Sequence, residues 1–233
     1  MNAGRTARDR ARAELTREIK DAARRQLAAE GAERLSLRAV SRELGMVSSA
    51  LYRYFPSRDD LLTALIIDAY DALGAAAEDA ARAEQDPRAA WLAISRAVRS
   101  WAKANPHEYA LIYGSPVPGY TAPQTTIQPA TRVAAALLGV LSRAQEAGVL
   151  VVPADAVEPH DVLVEQLAQL IEVAPGVPES LLLRMAMVWT QLFGLISFEL
   201  FGQLVGTFDP ADTFFELAIA EHAAFVGLGE GVG

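Results

Sequence analysis

Apolar side chains recur three and four residues apart through most of the chain, the spacing that gathers them on one face of an α-helix. Leu15, Ile19, Ala22 and Leu27 form such a stripe over residues 11–30, and Gly31 ends it. Leu37, Val40 and Leu44 form a shorter one behind Ser36, whose hydroxyl is placed to accept a backbone N–H and cap the helix. Gly45 then offers a left-handed turn. Residues 48–55 read as a second short helix, capped by Ser48, with Leu51 and Phe55 facing inward. Pro56 closes it, and Ser57 caps a third helix that begins near Arg58 with Asp59 and Asp60 in its first turn.

From Leu62 the apolar stripe continues through Leu65, Ile66, Ala69 and Leu73 to about Arg82, which reads as a connector. Helical periodicity returns over residues 88–104 (Trp91, Ile94, Val98, Trp101), 107–113, 129–147, 160–172, 179–204 and 210–226. Strand-like alternation is confined to a few residues around Val149–Val152, and Pro153 follows directly. The expected fold class is therefore all-α. Proline and glycine cluster over residues 114–123, an irregular loop of a length that often carries function.

The two short helices and their glycine turn carry the chemistry. Ser48, Ser49, Arg53 and the ring edges of Tyr52 and Tyr54 fall on the outward side, a set of donors and aromatics suited to groove edges and phosphates. The run Gly45-x-x-x-x-x-Leu51-Tyr52-x-Tyr54-Phe55, followed by Ser57-x-x-x-Leu61-Leu62, resembles the DNA-binding domain of the TetR family of bacterial transcriptional repressors. The resemblance covers roughly residues 12–65. It implies an N-terminal three-helix, homeodomain-like helix-turn-helix domain and a C-terminal helical ligand-binding and dimerisation domain. Three departures stand out: Val47 where a serine is common, Ser49 where a glycine is common, and Arg58 in place of lysine. On this resemblance Ser36, Arg38, Tyr52, Tyr54 and Arg58 position the backbone of the DNA, while Ser48, Ser49, Ala50 and Arg53 read its sequence. The expected division is a basic flexible arm over 1–10, the DNA-binding domain over 11–60 with its helix-turn-helix near 36–55, and the ligand and dimerisation domain over 61–233.

The 233 residues carry a net charge of −8, which taken whole argues against a nucleic-acid binder. Its distribution reverses that conclusion. Residues 1–60 hold 13 Lys and Arg against 9 Asp and Glu, and the remainder holds 8 against 20. A basic end beside an acidic body suits a protein that brings only one end to phosphate. In the arm, Arg5, Arg8 and Arg10 are either a solvated tail or a contact to phosphate or the minor groove. No cysteine is present, which excludes disulfides and thiolate metal sites and fits a bacterial cytoplasm. Residues 181–205 come nearest to a membrane span, but Arg184, Gln191, Glu199 and Gln203 make a buried or interfacial helix the better reading, and no membrane partner is expected.

Candidate ligand-pocket residues are Trp101, His107, Tyr109, Tyr113, Tyr120, Trp189 and Phe193. The tyrosines bracket the proline-rich loop and carry hydroxyls, although aromatics at helical spacing also serve as plain core. The run from Trp189 to Gly194 resembles the Trp-x-x-x-His-Gly helix of one TetR subgroup, with Phe193 replacing the histidine. Gly194 and Gly202 would each cost about 1 kcal/mol inside a helix relative to alanine, which predicts close packing against another helix. The resemblance makes that a homodimer seam through residues 179–204 and 210–226. No nucleophile motif and no metal spacing appears, so no enzyme, metal or cofactor is expected. The expected function is a repressor that binds palindromic operator DNA as a homodimer and is released by a small apolar or amphipathic effector. The alternative is a helical small-molecule binding or oligomeric interaction protein without sequence-specific DNA binding.

Overall fold

A computed structural model describes residues 3–229, with side chains from residue 7 onward, and every regular element among them is helical. The helices are α1 (Ala3–Glu30), α2 (Leu37–Glu43), α3 (Ser48–Leu51), α4 (Arg58–Ala83), α5 (Pro87–Ala104), α6 (Pro106–Tyr113), α7 (Ile127–Ala130), α8 (Arg132–Glu146), α9 (Asp161–Gln166), α10 (Ala168–Val173), α11 (Glu179–Leu200) and α12 (Asp212–Phe225). Short 3-10 turns lie at Ala32–Arg34 and Gln124–Thr126. The chain divides into two units: one takes in residues up to Tyr70 together with Asn105–Ile127, the other Asp71–Ala104 with the chain from Gln128 onward. Residues 61–70 and 105–127, which the sequence division gave to the body, thus belong with the DNA-binding helices.

The core of the first unit is built from Ile19, Ala22 and Ala23 of α1, Leu35, Leu37 and Val40 around α2, Leu51 and Phe55 around α3, and Leu61, Leu62, Leu65 and Ile66 of α4. Leu111 and Ile112 of α6, with Val117 and Tyr120 of the following loop, pack against it. Helix α1 differs from the expected arm. It is helical from Ala3, because alanine and arginine dominate its first turns and both favour helix.

Helix α3 is shorter than expected, four residues in place of eight. Beyond Leu51 the chain continues as hydrogen-bonded turns, with the N–H groups of Tyr54 and Phe55 both donating to the Leu51 carbonyl at 2.8 and 3.1 Å. This keeps Leu51 and Phe55 buried while the regular α-repeat is lost.

In the second unit, α5 packs against α8, α11 and α12, and α10 against α8 and α11. Trp91, Ile94 and Val98 of α5, Leu137 and Leu141 of α8, Leu181, Leu192 and Ile196 of α11, and Phe215 and Ile219 of α12 are all fully or almost fully buried. Gly74 of α4 shows why a glycine stands inside a helix. A Cβ there would lie 2.6 Å from that of Arg132, so its absence lets α8 close on α4. Arg132 then reaches Asp71 and Glu78 at 2.8 Å each.

Helix α11 is long and apolar enough to cross a membrane by length and composition, yet its Arg184 and Glu199 are paired with Asp155 and Arg99 of the same unit. Gly202 is not inside a helix. It lies in the turn after α11 at φ +81°, where glycine is the residue of choice.

Candidate DNA interface and ligand-binding body

The helix-turn-helix is positioned by groups that the apolar pattern does not reveal. Ser36 sits at the N-cap of α2, but its side chain makes no capping bond. Its N–H instead donates to Gln26 Oε1 at 3.1 Å, while Gln26 Nε2 donates to the Arg34 carbonyl at 3.3 Å, so a buried glutamine of α1 holds the entry to α2. Ser41, fully buried, gives its proton to the Arg38 carbonyl and meets the Ser48 hydroxyl at 3.0 Å. Ser48 is thereby turned toward α2 and is not the helix cap. The N-cap is Val47, without a side-chain bond. Gly45 holds φ +64°, as expected of the turn. Ser57 caps α4 as expected: its Oγ accepts the Asp60 N–H at 3.1 Å and donates to the Asp60 carboxylate at 2.7 Å.

What remains outward is Arg38, Arg42, Val47, Ser49, Tyr52 and Arg53, with Ala50 half-buried between them. Val47 is 70% exposed and Tyr52 43%. Tyr54 is half-buried against the core, and the Arg12 guanidinium lies over its ring, 5.2 Å from the centroid. Arg58, expected at phosphate, is turned inward. Its Nε donates to the Leu35 carbonyl at 3.1 Å and an Nη to the carbonyls of Ala32 and Glu33 at 2.8 and 3.3 Å, fastening the α1–α2 connection to α4.

Behind this face lies an ion-pair cluster linking three helices. Arg24 of α1 meets Asp68 of α4 at 2.7 Å, Glu108 of α6 at 3.0 Å and Asp21 at 2.8 Å, and Lys20 shares Asp68 at 2.7 Å. Burial opposes the charge on Arg24, but Glu108, Asp68 and Asp21 together outweigh it and raise its pKa.

The candidate pocket residues fall in both units. His107, Tyr109, Tyr113 and Tyr120 belong to the first unit, and Trp101, Trp189 and Phe193 to the second. Tyr109 is fully buried and its ring lies 5.2 Å from that of Tyr113, which meets Tyr70 edge-on at 6.0 Å. Burial, reinforced by Tyr70 and Tyr109, pushes the Tyr113 phenol far above its ordinary pKa. The Tyr120 and Thr63 hydroxyls lie 2.9 Å apart. These tyrosines therefore join α6 and its loop to α4. His107 is exposed at the edge of a cavity of about 170 Å³ lined by Leu27, Gly31, Ala110, Leu111, Pro116 and Val117 among others.

In the second unit Trp189 and Phe193 stack at a tilt, 5.3 Å between centroids. Among the described residues, the indole N–H groups of Trp189 and of fully buried Trp91 have no hydrogen-bond partner. Buried donors of that kind are rare in finished cores. Trp91 was not among the expected pocket residues, since nothing in helical spacing distinguishes a silent core indole from one awaiting an acceptor.

Helices α5, α11 and α12 are locked by Arg99, which makes a two-pronged contact to Glu199 at 2.6 and 2.7 Å and meets Asp212 at 2.9 Å. Lys103 joins Glu199 at 3.0 Å, and the Arg99 hydrogen bonds hold the Glu199 carboxyl below its usual pKa. The outer side of α11 carries Met187, Gln191, Gly194 and Phe198 at helical spacing, with both Met187 and Phe198 exposed. Leu217 of α12 is 60% exposed. A Cβ on Gly194 would meet nothing within 4 Å, so within one chain the expected close packing at that glycine is not made.

A short helix-turn-helix on a buried scaffold is thus joined in one chain to a second, all-helical unit. The chain belongs to the TetR family: residues 19–65 match the bacterial regulatory proteins of the tetR family, and residues 91–222 match the tetracyclin repressor-like C-terminal domain. It is 40% identical over 227 residues to the HTH-type transcriptional regulators Rv1816 of Mycobacterium tuberculosis and Mb1846 of Mycobacterium bovis, covering 91% of this chain and 95% of each relative. Among solved structures it resembles SCO4313 with 34% identity and a TM-score of 0.75, over 93% of this chain and 98% of that one. Family and relatives are regulators of transcription, not enzymes.

Proposed function

We propose that the protein is a homodimeric repressor, acting in the cytoplasm on palindromic operator DNA and released by a small amphipathic effector. The observation that carries the DNA reading is the outward set Arg38, Arg42, Val47, Ser49, Tyr52 and Arg53 on a scaffold that engages Ser41, Ser48 and Arg58 internally. Arg53 and Ser49 supply donors to base edges, Val47 offers an apolar contact of the kind thymine methyl groups accept, and Arg38 and Tyr52 hold phosphates. Arg58 acts from behind by fixing the α1–α2 connection.

Dimerisation is assigned to α11 and α12, whose exposed Met187, Phe198 and Leu217 need an apolar cover. Two copies would set the reading elements about one turn of DNA apart. The effector is assigned to the second unit, with an acceptor group for the unpartnered indoles of Trp91 or Trp189. Phe193 takes the place of the histidine in the Trp-x-x-x-His-Gly subgroup and gives that wall an apolar ring. The effector acts by binding more tightly to a dimer arrangement whose half-sites no longer match. A tenfold loss of operator affinity requires about 1.4 kcal/mol of such preference.

The test is selection of bound duplexes from random DNA by the full-length protein, followed by binding of the selected duplex by Arg53→Ala. The expected result is a palindromic site, with Arg53→Ala weakened by roughly 1–3 kcal/mol and indifferent at one base pair of each half-site. Enrichment of no sequence, together with unchanged binding by Arg53→Ala, overturns the reading and leaves a helical binding protein without sequence-specific DNA contact.

A further inference from the structure

Residues 7–14 are all exposed although they are helical. A stretch with no buried residue gains little stability from tertiary packing, so the core does not account for it. Its surroundings and charge do point to a partner. Arg12 lies over the ring of Tyr54, the residue after Arg53, which ties this stretch to the edge of the reading element. Arg8 precedes Arg12 by four residues and falls on the same face, one turn further out, about 6 Å along the axis. Arg17 is paired with Glu14 at 3.9 Å, whereas among the described residues neither Arg8 nor Arg12 has a carboxylate partner. Tyr54, Arg12 and Arg8 thus form a row that leaves the reading element and ends in open guanidinium groups. Arg5 continues it in sequence, with a side chain outside the described part.

We infer that the first turns of α1 are a second DNA-contacting element, in which Arg8 and Arg12 hold backbone phosphates flanking the half-site read by Arg53. The inference rests on the DNA reading above and extends it. The helical backbone places the two guanidinium groups one turn apart on the same face, so they meet the duplex with less ordering cost than an arm without regular structure. They add affinity and length of footprint, not base preference.

The experiment measures binding of full-length Arg8→Ala/Arg12→Ala to the selected duplex with long flanks, and to the same duplex trimmed to its half-sites, across a salt series. The exposed stretch makes the double variant safe for folding, and Arg8→Lys/Arg12→Lys keeps the charge as a control. On the long duplex the slope of log K against log salt should flatten by about 0.9 for each lost phosphate contact, roughly 2 per subunit. Affinity there should fall roughly tenfold or more at low salt. The trimmed duplex should bind wild type and variant alike, and the lysine variant should restore most of the slope. Equal slopes on the long duplex overturn this inference alone. So does an equal loss on both duplexes, which would mean that Arg12 merely props Tyr54. Failure of the wild type to select any duplex overturns the DNA reading and this inference with it.

Discussion

The first unit turns Ser49, Tyr52 and Arg53 outward from a helix of four residues and the turn after it, whereas the second leaves Met187, Phe198 and Leu217 exposed on helices of 22 and 14 residues. The first face is made of donors and a ring edge, and suits a wet, charged, grooved surface. The second is apolar and lies on long regular helices, and suits a dry partner of the same kind. The supporting charges differ in the same sense. Arg24 and Lys20 remain partly exposed in their cluster, while Arg99 and Arg184 are more than nine-tenths buried and held by carboxylates and carbonyls. On the proposed function, a reading element is held firmly so that its exposed side can stay unpaired, and a seam is held firmly so that its exposed side can be covered.

The comparison is broken most severely by charging the apolar face. Phe198→Asp with Leu217→Asp should give a monomer by sedimentation at micromolar concentration, and operator affinity roughly 100-fold lower or worse because two half-sites are no longer linked. A retained dimer would move the seam elsewhere. Glu199→Gln comes next, since it takes one of two carboxylates from the buried Arg99 and leaves Asp212, and should cost about 2 kcal/mol in thermal unfolding.

The same carboxylate makes a pH prediction. Its folded pKa is depressed, so its contribution is complete above the ordinary glutamate value of about 4.3 and is lost as pH falls through the depressed one. Melting temperature should fall on acidification in wild type, and less steeply in Glu199→Gln. In the first unit, Gly45→Ala meets no neighbour but is forced to φ +64°, and should destabilise by about 1–2 kcal/mol. The smallest effect sharpens the contrast: Gly194→Ala should stabilise the unpaired chain by about 1 kcal/mol while weakening dimerisation. An alanine that leaves the dimer constant unchanged would mean that no helix approaches there.

Local pattern revealed the helices well. Ser57 and Gly45 did what their types and positions imply, and the long apolar stripes lie where periodicity put them, with ends shifted by a few residues. What escaped was tertiary. Arg58 finds its carbonyls 23 to 26 residues earlier in the chain, and Arg24 finds Glu108 84 residues later. Ser48 reads as an outward residue until Ser41 is seen to claim it. The tyrosines around the proline-rich loop looked like a pocket rim because they flank an irregular segment. In the structure the Tyr113 ring packs against Tyr70 and Tyr109, and the Tyr120 hydroxyl meets Thr63. Gln26 was legible in principle, as a lone polar residue in the apolar stripe of α1.

Because Leu111, Ile112, Val117 and Tyr120 complete the core begun by the first helices, the DNA-reading unit is discontinuous in the chain. Hybrid regulators made by joining the head of one such protein to the body of another therefore have a proper seam here. A graft cut after residue 70 would leave Leu61, Leu65 and Ile66 without part of their cover and strand Arg24 without Glu108. One that carries residues 105–127 along with the head would transplant the complete module.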